Sequence, residues 1–175
     1  MKNKKLLLGI AWAWLTCLSA NAEVKLPAFF SDGMVMQQQT RANLWGTATP
    51  DAPVKITTSW DKQTYKTTAD AKGAWKLALS TPSAGGPYTI TFDDGKLTEI
   101  RDILMGELWL CSGQSNMEMP MKGFKNQPVE NSNTDVMNSR NPQLRLFTVK
   151  RSSSFTPKTD VVGTWQEAVP ATVRE

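Results

Sequence analysis

Turn signals recur so closely between residues 26 and 100 that no long helix fits there. "SDG", "TPDAP", "AKG", "TPSAGGP" and "DDG" interrupt the chain, and the segments between them are short and rich in Val, Ile, Thr, Trp and Tyr. Those segments are "MVMQ" (34–37), "RANLWG" (41–46), "VKITTSW" (54–60), "QTYKTTA" (63–69), "AWKLALS" (74–80) and "YTITF" (88–92). β-branched and aromatic residues between Gly, Pro and Asp clusters read as strands and turns. Trp75, Leu77 and Leu79 alternate with Lys76, Ala78 and Ser80, so one face of that strand points inward and the other outward. Asp94-Gly95, ahead of "KLTEI", predicts a two-residue type I′ hairpin, in which both central residues take φ > 0. The pattern predicts an all-β sandwich, antiparallel, over residues 23–102.

The pattern changes near Met105. "ELWLC" (107–111) is a nearly continuous apolar run, as in a strand buried on both faces of a parallel sheet. "QLRLFTV" (143–149) is a second such candidate, with room for a crossover and a modest helix around 129–139 between the two. "PATVRE" (170–175) is suited to begin a helix, with Pro at an early position. Residues 103–175 therefore read as the opening β-crossover-β unit of an α/β domain. Two strands cannot cover both faces of such a sheet, so the expectation is an incomplete, truncated domain that does not fold independently.

Compartment is read from the first 22 residues. "MKNKK" is a basic n-region, "LLLGIAWAWLTCLSA" an apolar h-region, and "ANA" a small-residue cleavage site. The apolar stretch is shorter than the roughly 20 residues a spanning helix needs, so an exported protein with no stable membrane anchor after signal cleavage is expected. Cleavage would remove Lys2, Lys4 and Lys5, taking the balance from 20 basic against 16 acidic residues to 17 against 16. A nearly neutral mature chain gives no reason to expect nucleic acid as a partner. Cys111 would then stand alone, without an intrachain disulfide, and no Cys/His spacing suggests a metal site.

The chemistry concentrates in "LWLCSGQSNMEMPM" (108–121). A strand ending at Cys111 places Ser115 just beyond its carboxyl end, where open α/β sheets build their sites. A helix starting nearby would aim free N–H groups at the Ser115 surroundings, a geometry that stabilises an oxyanion. The G-x-S-x-G elbow is not satisfied, because Met117 stands two residues after Ser115. From the residues alone, Ser, Asn and Gln here also read as turn and cap residues, Met117, Met119 and Met121 as packing residues, and Glu118 as a solvated or capping carboxylate.

"LPAFFSDGMVMQQ", "LWG" at 44–46, "GAWKLAL", "GGPYTI" and above all "GELWLCSGQSNMEMP" resemble the sialate O-acetylesterase family, a branch of the SGNH (GDSL-type) hydrolases. The likeness continues in order through "PQLRLFTV" and "GTWQEAVPATVRE". It implies an esterase that removes acetyl groups from sugar hydroxyls without metal or organic cofactor, a β-sandwich preceding a flavodoxin-like SGNH domain, and an O-acetylated sugar or glycan as substrate. By the same resemblance Ser115 matches the nucleophile and its own N–H an oxyanion donor, while Gly113, Gln114 and Asn116 shape the turn and acyl pocket. The family's base is a His, oriented by an Asp, in a later block. This chain contains no histidine. A serine without its base loses most of its acceleration, so the expectation is a fragment that is inactive by itself. The alternative is a non-catalytic β-sandwich that binds glycans or another protein. The sequence does not choose between sialic acid and acetylated xylan, nor does it specify an oligomer.

Overall fold

The computed structural model describes residues 23–174, so the signal-peptide expectation for residues 1–22 lies outside them. The fold is mostly β. Seven strands come first: β1 (Val35–Gln37), β2 (Arg41–Thr47), β3 (Pro53–Thr58), β4 (Thr64–Thr68), β5 (Ala74–Ser80), β6 (Gly85–Asp93) and β7 (Leu97–Gly106). They are followed by α1 (Ser115–Glu118), α2 (Ser132–Met137), β8 (Asn141–Phe147), β9 (Trp165–Ala168) and α3 (Pro170–Val173).

Five strands form one sheet in the order β1-β7-β6-β3-β4, and β2 and β5 form a two-stranded sheet. The five-stranded sheet is mixed rather than antiparallel throughout, because β1 runs parallel to β7, with Val35 opposite Leu104. Strand alternation builds the core. Val54, Ile56 and Thr58 of β3 are buried while Pro53, Lys55 and Thr57 are exposed. Leu44 of β2, Trp75 and Leu79 of β5, Ile90 and Phe92 of β6 and Ile100, Ile103 and Met105 of β7 join Val54 and Ile56 in one cluster. Gly46 is a point of close approach: a Cβ there would lie 2.4 Å from the Lys25 carbonyl oxygen and 2.9 Å from the Trp75 ring.

An irregularity in β7 decides which of its residues face outward. Tyr88 pairs with Ile103 and Ile90 with Ile100, so β7 carries one residue more than β6 across that interval. This is a β-bulge, and Asp102 sits in it at φ +56°. The extra residue resets the alternation, so Ile100 and Ile103 both face the core and Arg101 and Asp102 both face outward. The strand continues past residue 102 to Gly106.

Several expectations need correction. The β6–β7 connection is a three-residue loop, since Asp93 pairs with Leu97, and only Gly95 has positive φ there. The Asp93 carboxylate accepts the Gly95 N–H at 2.9 Å, which stabilises this wider turn without a type I′ geometry. Residues 107–111 are not a strand; no neighbouring strand among the described residues pairs with their backbone, and the run is exposed rather than buried. The β-crossover-β unit is likewise absent, because β8 pairs antiparallel with β9, not parallel with residues 107–111. The expected helices do form as α2, within 129–139, and as α3, with Pro170 at its start and Thr172 Oγ1 accepting the Val169 N–H at 3.0 Å.

The β8–β9 pair is fastened to the first seven strands. Arg145, with a side chain 6% exposed, forks onto Asp102 at 2.6 and 3.3 Å and lies 3.6 Å from Glu167. Trp165 Nε1 donates to Phe29 O at 2.8 Å, Trp45 Nε1 to Thr159 O at 3.0 Å, and Asp160 accepts the Ala28 N–H at 2.7 Å.

Candidate active site

The loop that carries Ser115 is anchored where β7 ends. Glu107 accepts hydrogen bonds from the side-chain amides of Gln37, at 3.1 Å, and Gln38, at 2.8 Å. Gln37 Oε1 in turn accepts the Leu108 N–H at 2.9 Å. The two amide donors hold the Glu107 carboxyl below its ordinary pKa, Gln38 contributing most. Sequence reasoning missed this anchor. Its only signal was the "MQQ" within the first block of the resemblance, where two adjacent Gln residues close a short strand.

From there residues 108–114 run without regular structure, and α1 begins at Ser115 with Gln114 as its N-cap residue. Gly113, Gln114, Ser115 and Asn116 are all exposed. They share one turn, as expected from their adjacency, and Ser115 stands at the first position of a helix. A cap-and-turn role makes a specific demand that is not met: Gln114 makes no side-chain cap. Among the described residues the Ser115 hydroxyl forms no hydrogen bond either, so it is not occupied in holding the turn. At the start of the helix the Met117 N–H donates to Gln114 O at 2.9 Å. Gly113 does not need a left-handed backbone; a Cβ there would instead meet Met117 Cγ at 2.8 Å. Glycine thus lets Met117 fold back over the turn.

Glu118, on the last residue of α1, is ion-paired with Arg151. Both partners are largely exposed, so the pair contributes little to stability. It does neutralise the carboxylate nearest in sequence to Ser115. Two concavities lie elsewhere, one walled by Phe30, Thr98 and Trp165 and the other by Thr57, Lys62 and Thr91. Among the described residues no cluster of three or more His, Cys, Asp or Glu could hold a metal ion, and no helix is long and apolar enough to cross a membrane. Cys111 is a free, exposed thiol.

What Ser115 offers is an accessible hydroxyl at the start of a helix, uncommitted to any local partner. No family model matches the chain. Sialate O-acetylesterases do: the human protein is 32% identical over 131 residues, 69% of this chain and 25% of that protein. The protein from Mus musculus is 31% identical over 141 residues, 75% of this chain and 25% of its own length. That from Pongo abelii is 30% identical over 154 residues, 82% of this chain and 29% of its own. Among solved structures, a carbohydrate acetylesterase from Xanthomonas citri superposes with a TM-score of 0.80 at 33% identity, covering 87% of this chain and 34% of that one. The chain thus spans between a quarter and about a third of the proteins it matches. Over that span, the chain belongs to the sialate O-acetylesterase family.

Proposed function

We propose that this chain serves carbohydrate O-acetyl ester hydrolysis, with Ser115 as the nucleophile. The observation that carries the reading is the exposed Ser115 hydroxyl at the first residue of α1, without a hydrogen bond among the described residues. Ser115 Oγ attacks the carbonyl carbon of an acetyl group on a sugar hydroxyl. The bond from that carbon to the sugar oxygen breaks, and the sugar departs as an alcohol with the proton that Ser115 gave up. Water then cleaves the acetyl-Ser115 ester, releasing acetate. The Ser115 N–H is one donor to the oxyanion, and Gly113, Gln114 and Asn116 shape the turn around it. Neither a metal nor an organic cofactor enters these steps.

The reaction needs a base to take the Ser115 proton. The 175 residues hold no histidine, and Glu118 is paired with Arg151. The base is therefore assigned to residues outside these 175, with residues 23–102 as a β-sandwich, 103–175 as the opening of an SGNH hydrolase domain, and the protein in an exported compartment. O-acetylated sialic acids and acetylated xylans both fit as substrates.

The test begins with the intact mass of the protein from its native source. A species much heavier than 19.4 kDa supports the reading. In that species, acetate release from O-acetyl sugars should fall about 10³-fold or more on Ser115→Ala, in line with loss of a serine nucleophile. The isolated 175-residue chain should release none. Fluorophosphonate labelling that persists in Ser115→Ala would remove the assigned nucleophile. A second reading, a non-catalytic module that binds glycans or protein, is favoured by the missing histidine; sugar binding with no acetate release from the native species would select it.

A further inference from the structure

We infer that the cleft between β7 and β9 is a binding subsite for one neutral pyranose unit of a glycan, separate from Ser115. The cleft has a volume of about 420 Å³ and is shallow, broadly open to solvent. That volume lies within the range of small-ligand sites. Its floor is apolar: Leu26 and Trp165 are half-buried above the buried Phe30 and Ile100.

Trp165 is held rigidly. Its Nε1 is committed to Phe29 O at 2.8 Å, and Phe147 packs against it with ring centroids 5.2 Å apart. A pinned indole that still lines a cavity presents an apolar platform of the kind the C–H face of a pyranose ring stacks on, at little entropic cost.

The rim supplies what the hydroxyl edge of the same sugar requires. Asp32 Oδ1 accepts the Arg101 N–H at 2.8 Å, and Glu99 Oε1 pairs with Arg101 Nε. Each carboxylate keeps a second oxygen with no hydrogen bond among the described residues, and a carboxylate oxygen accepts hydroxyl protons strongly. Thr98 lines the same wall. The charged groups lining the cleft are therefore both carboxylates. With Arg101 paired to Glu99, the rim keeps one net negative charge, on Asp32, which favours a polyhydroxyl ligand over an anionic one, so the subsite takes a neutral sugar rather than a sialic acid.

The experiment is isothermal titration of the native-length protein with xylotriose, a neutral pyranose trimer, and with N-acetylneuraminic acid, an anionic sugar. Neither probe carries an O-acetyl ester, so the result does not depend on Ser115 chemistry, and failure here leaves the esterase reading untouched. Saturable binding of xylotriose and none of N-acetylneuraminic acid is expected. Asp32→Asn combined with Glu99→Gln should weaken xylotriose about tenfold, the loss of charge-assisted hydrogen bonds. Thr164→Trp, at an exposed residue of the opening, should abolish binding without touching the core. No xylotriose binding, equal binding of the acid, or unchanged affinity in Thr164→Trp would each overturn the assignment.

Discussion

Asp61 shows how much one side chain settles locally. Burial works against its charge, but hydrogen bonds from the Thr58 hydroxyl, the Gln63 N–H at 3.0 Å and the Tyr65 hydroxyl at 2.7 Å outweigh that and hold its pKa below the ordinary value. The same contact raises the Tyr65 pKa, chiefly because the phenol must keep its proton to donate to Asp61, with burial and the adjacent negative charge adding to the effect. Thr58 is fully buried, so Asp61→Ala strands its hydroxyl. That should cost about 1–3 kcal/mol in urea unfolding at pH 7. A carboxylate whose pKa is lower folded than unfolded stabilises above the unfolded value, near 3.9, and loses that contribution as pH falls through the folded value. Wild type should therefore lose stability below about pH 4 more steeply than Asp61→Asn. Parallel acid profiles for the two would refute this role. The turn around Ser115 was legible in the sequence because small polar residues after an apolar run mark a turn, whereas the nucleophile role came only from the family resemblance. Glu107 was not legible, because its partners, Gln37 and Gln38, lie 70 and 69 residues away and only the paired β1 and β7 bring them together.

At the scale of elements, the β8–β9 pair depends on a few contacts to the earlier strands, and Trp165 is the largest of them. Trp165→Ala removes a half-buried ring, its Phe147 contact and the bond to Phe29 O. A loss of about 2–3 kcal/mol is expected, below the range for a fully buried aromatic. Amide exchange should quicken throughout β8 and β9 while Ile90, Phe92 and Ile103 stay protected. Exchange that rises equally in both regions would mean that the pair and the sheet unfold as one. The strands from β1 to β6 were readable because alternation and turn residues are local properties. Strand pairing is not local. "QLRLFTV" does form a strand, yet its partner is β9, because residues 107–111 present no paired backbone to it. The bulge at Asp102 escaped for a related reason: Asp tolerates a left-handed backbone, but nothing in "IRDIL" announces an extra residue until Ile100 and Ile103 are both seen facing the core.

For the molecule as a whole, the decisive surface is the apolar run after β7. Leu108, Trp109 and Leu110 are 51%, 81% and 93% exposed, and the run is held at its base by Glu107. Met117 and Phe124 add further exposed apolar area nearby in the chain. Contiguous exposed apolar surface on a folded chain drives association, since burying it removes water from every residue involved. Among the described residues the run pairs with no strand, so a second chain can add to it by strand pairing as well as by side-chain contact. The isolated chain should therefore self-associate as its concentration rises, by sedimentation velocity. Leu108→Lys with Leu110→Lys should shift it toward monomer. Because neither side chain touches the core, unfolding free energy should change by no more than about 0.5 kcal/mol per site. Wild type that stays monomeric would show that the run is covered in solution. A double variant that still associates would point instead to the β4 edge, where Thr64–Thr68 pairs only with β3.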